Sequence, residues 1–313
     1  MESMARRDFI RKIGMVASGG SLAGTFLLPS LSYASNSDGM APEMFFRISL
    51  AEWSLHRALQ SGKLDNLDFP IKAKKEFGIS AVEYVNVFFK DKARNTTYLR
   101  ELKNRCDDNG VVSLLIMIDE EGFMANLDST LRQKAIENHF PWVDAAKFLG
   151  CHSIRVNCHG AGPASEVAKA GIDGLRKLSE YGKTTGINVI VENHGGNSSN
   201  GEWISSVIRS VGMPNCGTLP DFGNFSLGNN TWYDRYKGVR EMMPFAKGVS
   251  AKSIDFDEMG NCVETDYERM LPIVKEAGYS GFIGIEYEGD KLSEDEGILA
   301  TKRLLERVGS NIK

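Results

Sequence analysis

A single (β/α)8 barrel is the fold this sequence predicts, and two observations predict it. The first is a recurring junction at which a helical segment stops at glycine and a β-branched, apolar run begins at once. The second is its cadence of roughly 30–40 residues, the length of one strand–helix unit in a parallel sheet.

The elements follow in chain order. The first strand is expected over Phe45–Leu50. Lys-Glu-Phe-Gly78 then leads into Ile79–Val85, Asp-Asp-Asn-Gly110 into Val111–Ile118, and Lys-Phe-Leu-Gly150 into His152–Val156. Lys-Thr-Thr-Gly186 leads into Ile187–Val191. Cys216–Leu219 and Lys247–Ala251 supply the sixth and seventh strands, and Lys-Glu-Ala-Gly278 precedes the eighth, Phe282–Ile285. Glycine past a helix end accepts the left-handed conformation that closes it, so each marks a helix-to-strand junction. Thr265-x-x-Glu268 and Ser293-x-x-Glu296 read as capping boxes at helix starts. Eight strands alternating with helices make a TIM barrel. A doubly wound open sheet is the alternative, but no Gly-x-Gly-x-x-Gly follows any strand, and Gly160-Ala161-Gly162 reads as a loop.

The N-terminus reads differently. Arg6-Arg7 is followed by Asp8, Phe9, Ile10 and Arg11, then an uncharged stretch over Ile13–Leu28, then Ser32-Tyr33-Ala34. A basic region, an apolar segment and a small-x-small site describe a cleaved signal peptide over residues 1–34, and the paired arginines specify the twin-arginine route to the periplasm or beyond. The barrel then occupies 35–313, roughly 280 residues, enough for one full core. No other stretch has the length of a membrane span. A formal charge of −4 gives no reason to expect nucleic acid as partner. The five cysteines cannot all pair and show no Cys-x-x-Cys spacing, so they are expected as buried apolar residues.

Barrel enzymes work at the C-terminal strand ends. Those ends carry Glu52-Trp53-Ser54, Asn86, Asp119, Asn157-Cys158-His159, Glu192-Asn193-His194, Asp221-Phe222-Gly223-Asn224, Ser250-Ala251-Lys252 and Glu286-Tyr287-Glu288. Glu192, Asp221 and Glu286 would converge over the barrel mouth. Like charges that close repel unless a cation lies between them, and an oxygen-dominated set favours Mn²⁺ or Mg²⁺, with Co²⁺ or Zn²⁺ as alternatives. His194, His159, Asn224, Trp53, Asn86 and Asp119 are the candidate substrate contacts, and Phe222 is a further aromatic that could face a sugar. His56 is placed at the rim, His139 in packing or on the surface, and His152 on the opposite, stability-determining face.

Val-Glu192-Asn-His-Gly-Gly, Leu-Pro-Asp221-Phe-Gly-Asn and Gly-Ile-Glu286-Tyr-Glu-Gly resemble the strand-end signatures of the xylose-isomerase-like barrels known as sugar phosphate isomerases/epimerases. The resemblance covers nearly the whole chain after the leader. It implies one divalent metal on Glu192, Asp221 and Glu286, with Glu192 and Glu286 doubling as proton carriers, and homodimers are common among such barrels. One position departs: where the family has His-x-Lys-Asp on the seventh strand, this chain has Ser250-Ala251-Lys252-Ser253. Water, His194 or His159 would then take the place of the missing ligand. Ser250 and Lys252 share a strand face, so Lys252 is expected in the site, with its pKa pushed down by burial and metal, to serve as a base or as a cation that stabilises an enolate.

The chemistry this implies is proton abstraction beside a carbonyl through an enediolate, giving isomerisation or epimerisation of an unphosphorylated sugar. Elimination of the aglycone from a 3-keto-glycoside is the alternative, since exported members with a changed seventh strand resemble such lyases. A non-catalytic sugar-binding barrel is a further reading. A phosphodiesterase like the apurinic-site endonucleases is disfavoured by the few histidines.

Overall fold

The computed structural model of the chain describes residues 44–312. The signal-peptide expectation, on residues 1–34, lies outside the described residues. Eight parallel strands form the sheet: β1 (Arg47–Ala51), β2 (Ala81–Val85), β3 (Val112–Met117), β4 (Ser153–Val156), β5 (Asn188–Glu192), β6 (Cys216–Leu219), β9 (Val249–Ser253) and β10 (Phe282–Tyr287). Their order is β6-β5-β4-β3-β2-β1-β10-β9. The two ends of this order meet. Bridges join Thr218 to Ala246 and Asp221 to Ser250, and the Ser250 amide donates to the Pro220 carbonyl at 2.9 Å. The two remaining strands, β7 (Ser226–Gly228) and β8 (Thr231–Trp232), form a separate antiparallel hairpin that the sequence reading did not anticipate.

Each barrel strand runs into at least one helix, so all eight expected units are present. The glycines at 78, 110, 150, 186 and 278 all have positive φ, as their reading as helix terminators required. Ser293 makes the expected capping box with Glu296. Thr265 does not. The cap of the helix Tyr267–Glu276 is Asp266, whose side chain accepts from the Arg269 amide, while the Thr265 hydroxyl donates to the Phe222 carbonyl at 3.2 Å. A carboxylate one residue nearer the helix satisfies the free amide, which releases the threonine to anchor the loop after β6.

Two apolar layers hold the barrel. Helices pack on the outer strand faces, with Trp142, Tyr84, Phe69 and Leu102 among the fully buried side chains. Inside, Ala51, Val85, Leu115, Met117, Ile190 and Leu219 make a small cluster that floors the mouth. Each large aliphatic removed from water this way stabilises by about 1.5–3 kcal/mol. All five cysteines are free and buried, as expected.

The barrel interior also holds a carboxyl. Glu83 of β2 accepts from the Ser49 hydroxyl at 2.6 Å through Oε1, whereas its buried Oε2 has no hydrogen-bond partner. Burial, and then the charges of Glu286 and Glu192, outweigh the Ser49 bond and push its pKa from 4.5 up to about 7. A raised carboxyl binds its proton more tightly folded than unfolded. The stability it permits is therefore complete below pH 4.5 and declines as pH rises to about 7. At about 1.4 kcal/mol per unit this amounts to ~3 kcal/mol. Glu83→Gln is expected to flatten that decline and to leave the variant more stable than the parent at pH 8. Urea titrations at pH 5 and pH 8 check it; an unchanged pH slope in the variant would refute the assignment.

Candidate active site

Strand β5 ends at Glu192, β6 is followed by Pro220 and Asp221, and β10 carries Glu286. A parallel barrel brings these ends to one level. One oxygen of each carboxylate lies within 4.8 Å of those of the other two, and all three residues are buried. The convergence expected from sequence is therefore present in the fold.

The neighbours of the trio divide it. Asp221 Oδ1 accepts from the amides of Gly223 and Asn224 at 2.8 and 2.7 Å, the turn that follows β6 folding back on its own carboxylate. The Ser250 hydroxyl lies 2.7 Å from Asp221 Oδ2 and 2.8 Å from Glu286 Oε2. A hydroxyl has one proton, so it serves one of those oxygens at a time. This serine stands where a nitrogen ligand was missing from the sequence. Lys252, two residues on and on the same side, places Nζ 3.0 Å from both Glu286 Oε1 and Glu288 Oε1. Its stem lies against Gly223, where an added Cβ would come within 2.9 Å of Lys252 Cγ, so the glycine makes room for the lysine.

The expected lowering of the Lys252 pKa is reversed. Burial alone would lower it, but Glu286, Asp221 and Glu288 together hold it well above its ordinary value. Those carboxylates favour its ammonium form, the cationic of the two roles expected from the sequence. Glu286, although buried, is correspondingly held below 4.5 by Lys252 and the Ser250 bond. Glu192 moves the other way: burial raises it to about 7 even though Arg155 opposes the shift. Asp221 is also raised, by burial, with the other two carboxylates adding to the effect.

Arg155 was missed by sequence reasoning. From the middle of β4 it sends Nη1 to Asp119 Oδ1 at 2.7 Å and sets Nε 2.8 Å from Glu192 Oε2, the latter pair facing as charges without a directed hydrogen bond. An arginine inside the short buried run Ser-Ile-Arg-Val was the available signal, since such a charge is almost never fully buried unless paired.

The other candidates separate into those that reach the cleft and those that do not. Trp53, Asp119 and His194 line it, with Trp53 stacked 5.1 Å from His56. Asn224 holds the Glu192 carboxylate, donating to Oε1 at 2.9 Å. His159 sits behind His194, its Nε2 2.8 Å from the His194 carbonyl, and is absent from the main cleft. Asn86 is buried and clamps the backbone of Asp119 through two hydrogen bonds, so it positions that residue instead of meeting a substrate. Phe222 is fully buried against Tyr267, which removes it as a sugar platform. His139 is buried in packing, and His152 lines a cavity at the opposite end of the barrel, with Arg47 and Lys247.

Residues 71–308 match the family model described as xylose isomerase-like TIM barrel. The chain belongs to that family. Solved structures of similar fold include the IOLI protein with a bound zinc atom, at 17% identity and a TM-score of 0.66 over 86% of this chain and 99% of that one. D-Psicose 3-epimerase crystallised with D-fructose follows at 12% identity and 0.62, over 85% and 100%. A family protein from Mycobacterium smegmatis in complex with magnesium gives 15% and 0.61, over 85% and 97%. A search of curated proteins gave no match to the sequence.

This chain's donor set fits a hard divalent ion. Three buried carboxylates supply oxygens within a few ångströms, and Glu192 Oε2 is buried without a hydrogen bond.

Proposed function

We propose that the protein is an exported sugar isomerase or epimerase that moves a proton beside the carbonyl of an unphosphorylated sugar, assisted by one divalent metal. The observation that carries this reading is the convergence of Glu192, Asp221 and Glu286 from three strand ends beside a large cleft. Epimerases among the proteins of similar fold support it. Held by those carboxylates, Mn²⁺ or Mg²⁺ would polarise the substrate carbonyl and acidify the neighbouring C–H.

The chain's own residues supply the remaining chemistry. Glu192, buried at the end of β5 with Oε2 free of hydrogen bonds, is placed to take a proton from carbon and return it. Arg155 holds Glu192 and Asp119 in fixed relation, and Lys252 keeps Glu286 ionised. Ser250 ties Asp221 to Glu286. Trp53 offers a flat apolar face to a sugar ring at the cleft wall.

The unequal carboxylates favour a second reading. Inversion at carbon by two groups requires one of them to arrive protonated on the opposite face, and both oxygens of Glu286 already face donors, Lys252 Nζ at 3.0 Å and the Ser250 hydroxyl at 2.8 Å. Elimination from a 3-keto-glycoside needs a single base at the carbon. Export through the twin-arginine route belongs to the same proposal, because phosphorylated sugars are mainly cytoplasmic; cell fractionation checks it. The activity is tested by proton NMR in D₂O on metal-loaded protein with a panel of ketoses and 3-keto-glycosides. Deuterium beside the carbonyl with all substituents retained means isomerase or epimerase, and aglycone release with an unsaturated product means lyase. Absence of both, or turnover unaffected by chelator, would overturn the proposal.

A further inference from the structure

Two cavities meet at the barrel mouth. The larger, about 930 Å³, is lined by the charged Asp119, Arg155 and Glu286 and by the aromatic Trp53, Phe88 and Tyr98. The smaller, about 300 Å³, is lined by Asn224, Trp232, Arg235, Lys252 and Glu264. His194 and Glu288 line both, so the two cavities adjoin across these side chains beside the carboxylate trio. A free hexose would leave most of this space to water, because the larger cavity alone is of the size that buries a drug-sized ligand.

The wall of the smaller cavity is built by an element outside the barrel repeat. The β7–β8 hairpin turns at Asn229 and Asn230, with φ of 49° and 56°, the left-handed pair that a tight two-residue hairpin needs. Its base is tied by the Tyr233 amide to the Phe225 carbonyl at 2.9 Å. This hairpin holds Trp232 against the cavity with 59% of its surface exposed. An indole on a short, fixed element is a rigid apolar plate that costs little entropy to use. Around it stand an amide, a guanidinium and a carboxylate, the polar groups that hydroxyls on a ring edge require. Each cavity thus has an aromatic wall, Trp53 in one and Trp232 in the other.

We propose that the substrate is a glycoside and not a free sugar, its reacting ring lying against Glu286 in the larger cleft and its second sugar ring stacking on Trp232. The inference rests on the sugar chemistry proposed above and names its substrate class.

The test uses the full chain. Isothermal titration compares D-glucose, D-galactose and D-mannose with cellobiose, lactose and β-1,4-mannobiose, for the parent, W232A and W232F. Expected is at least tenfold tighter binding of one disaccharide than of its free sugar. W232A should bring that disaccharide down to the affinity of the free sugar, and W232F should keep most of the advantage. Equal affinity for disaccharides and free sugars, or a disaccharide advantage that survives in W232A, overturns the inference. So does a parent dimer that W232A dissociates in light scattering, which would make Trp232 a subunit contact. The D₂O experiment separates the two failures, because turnover of free ketoses with no disaccharide preference would remove only this inference. Absence of sugar binding and of turnover would remove both.

Discussion

Glu192→Gln is expected to cut turnover by ~10²–10⁴-fold, the range for loss of a general acid–base group. The amide still offers an oxygen to Asn224 Nδ2, which now bonds Oε1 at 2.9 Å, so the side chain has a reason to keep its place. It loses the ability to carry a proton and the charge that faces Arg155 Nε at 2.8 Å. Arg155 retains Asp119, so the guanidinium is not left without a partner. The stability cost should accordingly be modest, about 1–3 kcal/mol for one disrupted buried polar contact. Deuterium exchange rates measured beside urea denaturation separate the two effects. A variant that is stable and still active would sink the assignment of Glu192 as proton carrier.

Lys252→Met should have the largest effect on stability. The ammonium is buried and pairs with Glu286 and Glu288 at 3.0 Å each, and methionine fills a similar path past Gly223 without the charge. Removing one partner of a buried pair strands the other, which costs about 3–5 kcal/mol. Adding Glu286→Gln should recover part of that loss, because the stranded charge is then gone. The pH dependence has a definite sign. Glu286 is held below its ordinary 4.5, so it stabilises the fold above that pH and the contribution is lost as pH falls through the lowered value. The gap between parent and variant should therefore be widest at neutral pH and close in acid. Urea denaturation with chelator present, from pH 7 downwards, measures it. A constant gap would mean that Lys252 acts through packing.

The elements legible in the sequence were those whose causes are local. Gly150 ends a helix because its own φ of 84° suits glycine, and Ser293 caps one because its partner is three residues away. The eight strands could be placed for the same reason, since each is a short apolar run bounded by such signals. The carboxylate trio was legible because barrel topology converts "end of strand" into "one point in space" for Glu192, Asp221 and Glu286 alike. Asn86 and Phe222 were misassigned for the converse reason. A residue just past a strand can point toward the mouth or under the next loop, and both turn under it.

By itself, then, the sequence determined the barrel, its helix ends and the three acids at its mouth. The tertiary structure decided which partner each acid meets. Arg155 reaches Glu192 across 37 positions and Ser250 reaches Glu286 across 36, pairings no local pattern encodes. It also decided the Lys252 pKa, against the expectation from burial. Desolvation can be anticipated for any buried lysine, but the opposing attraction comes from Glu286, Asp221, Glu288 and Glu192 together and exists only once the strands have closed.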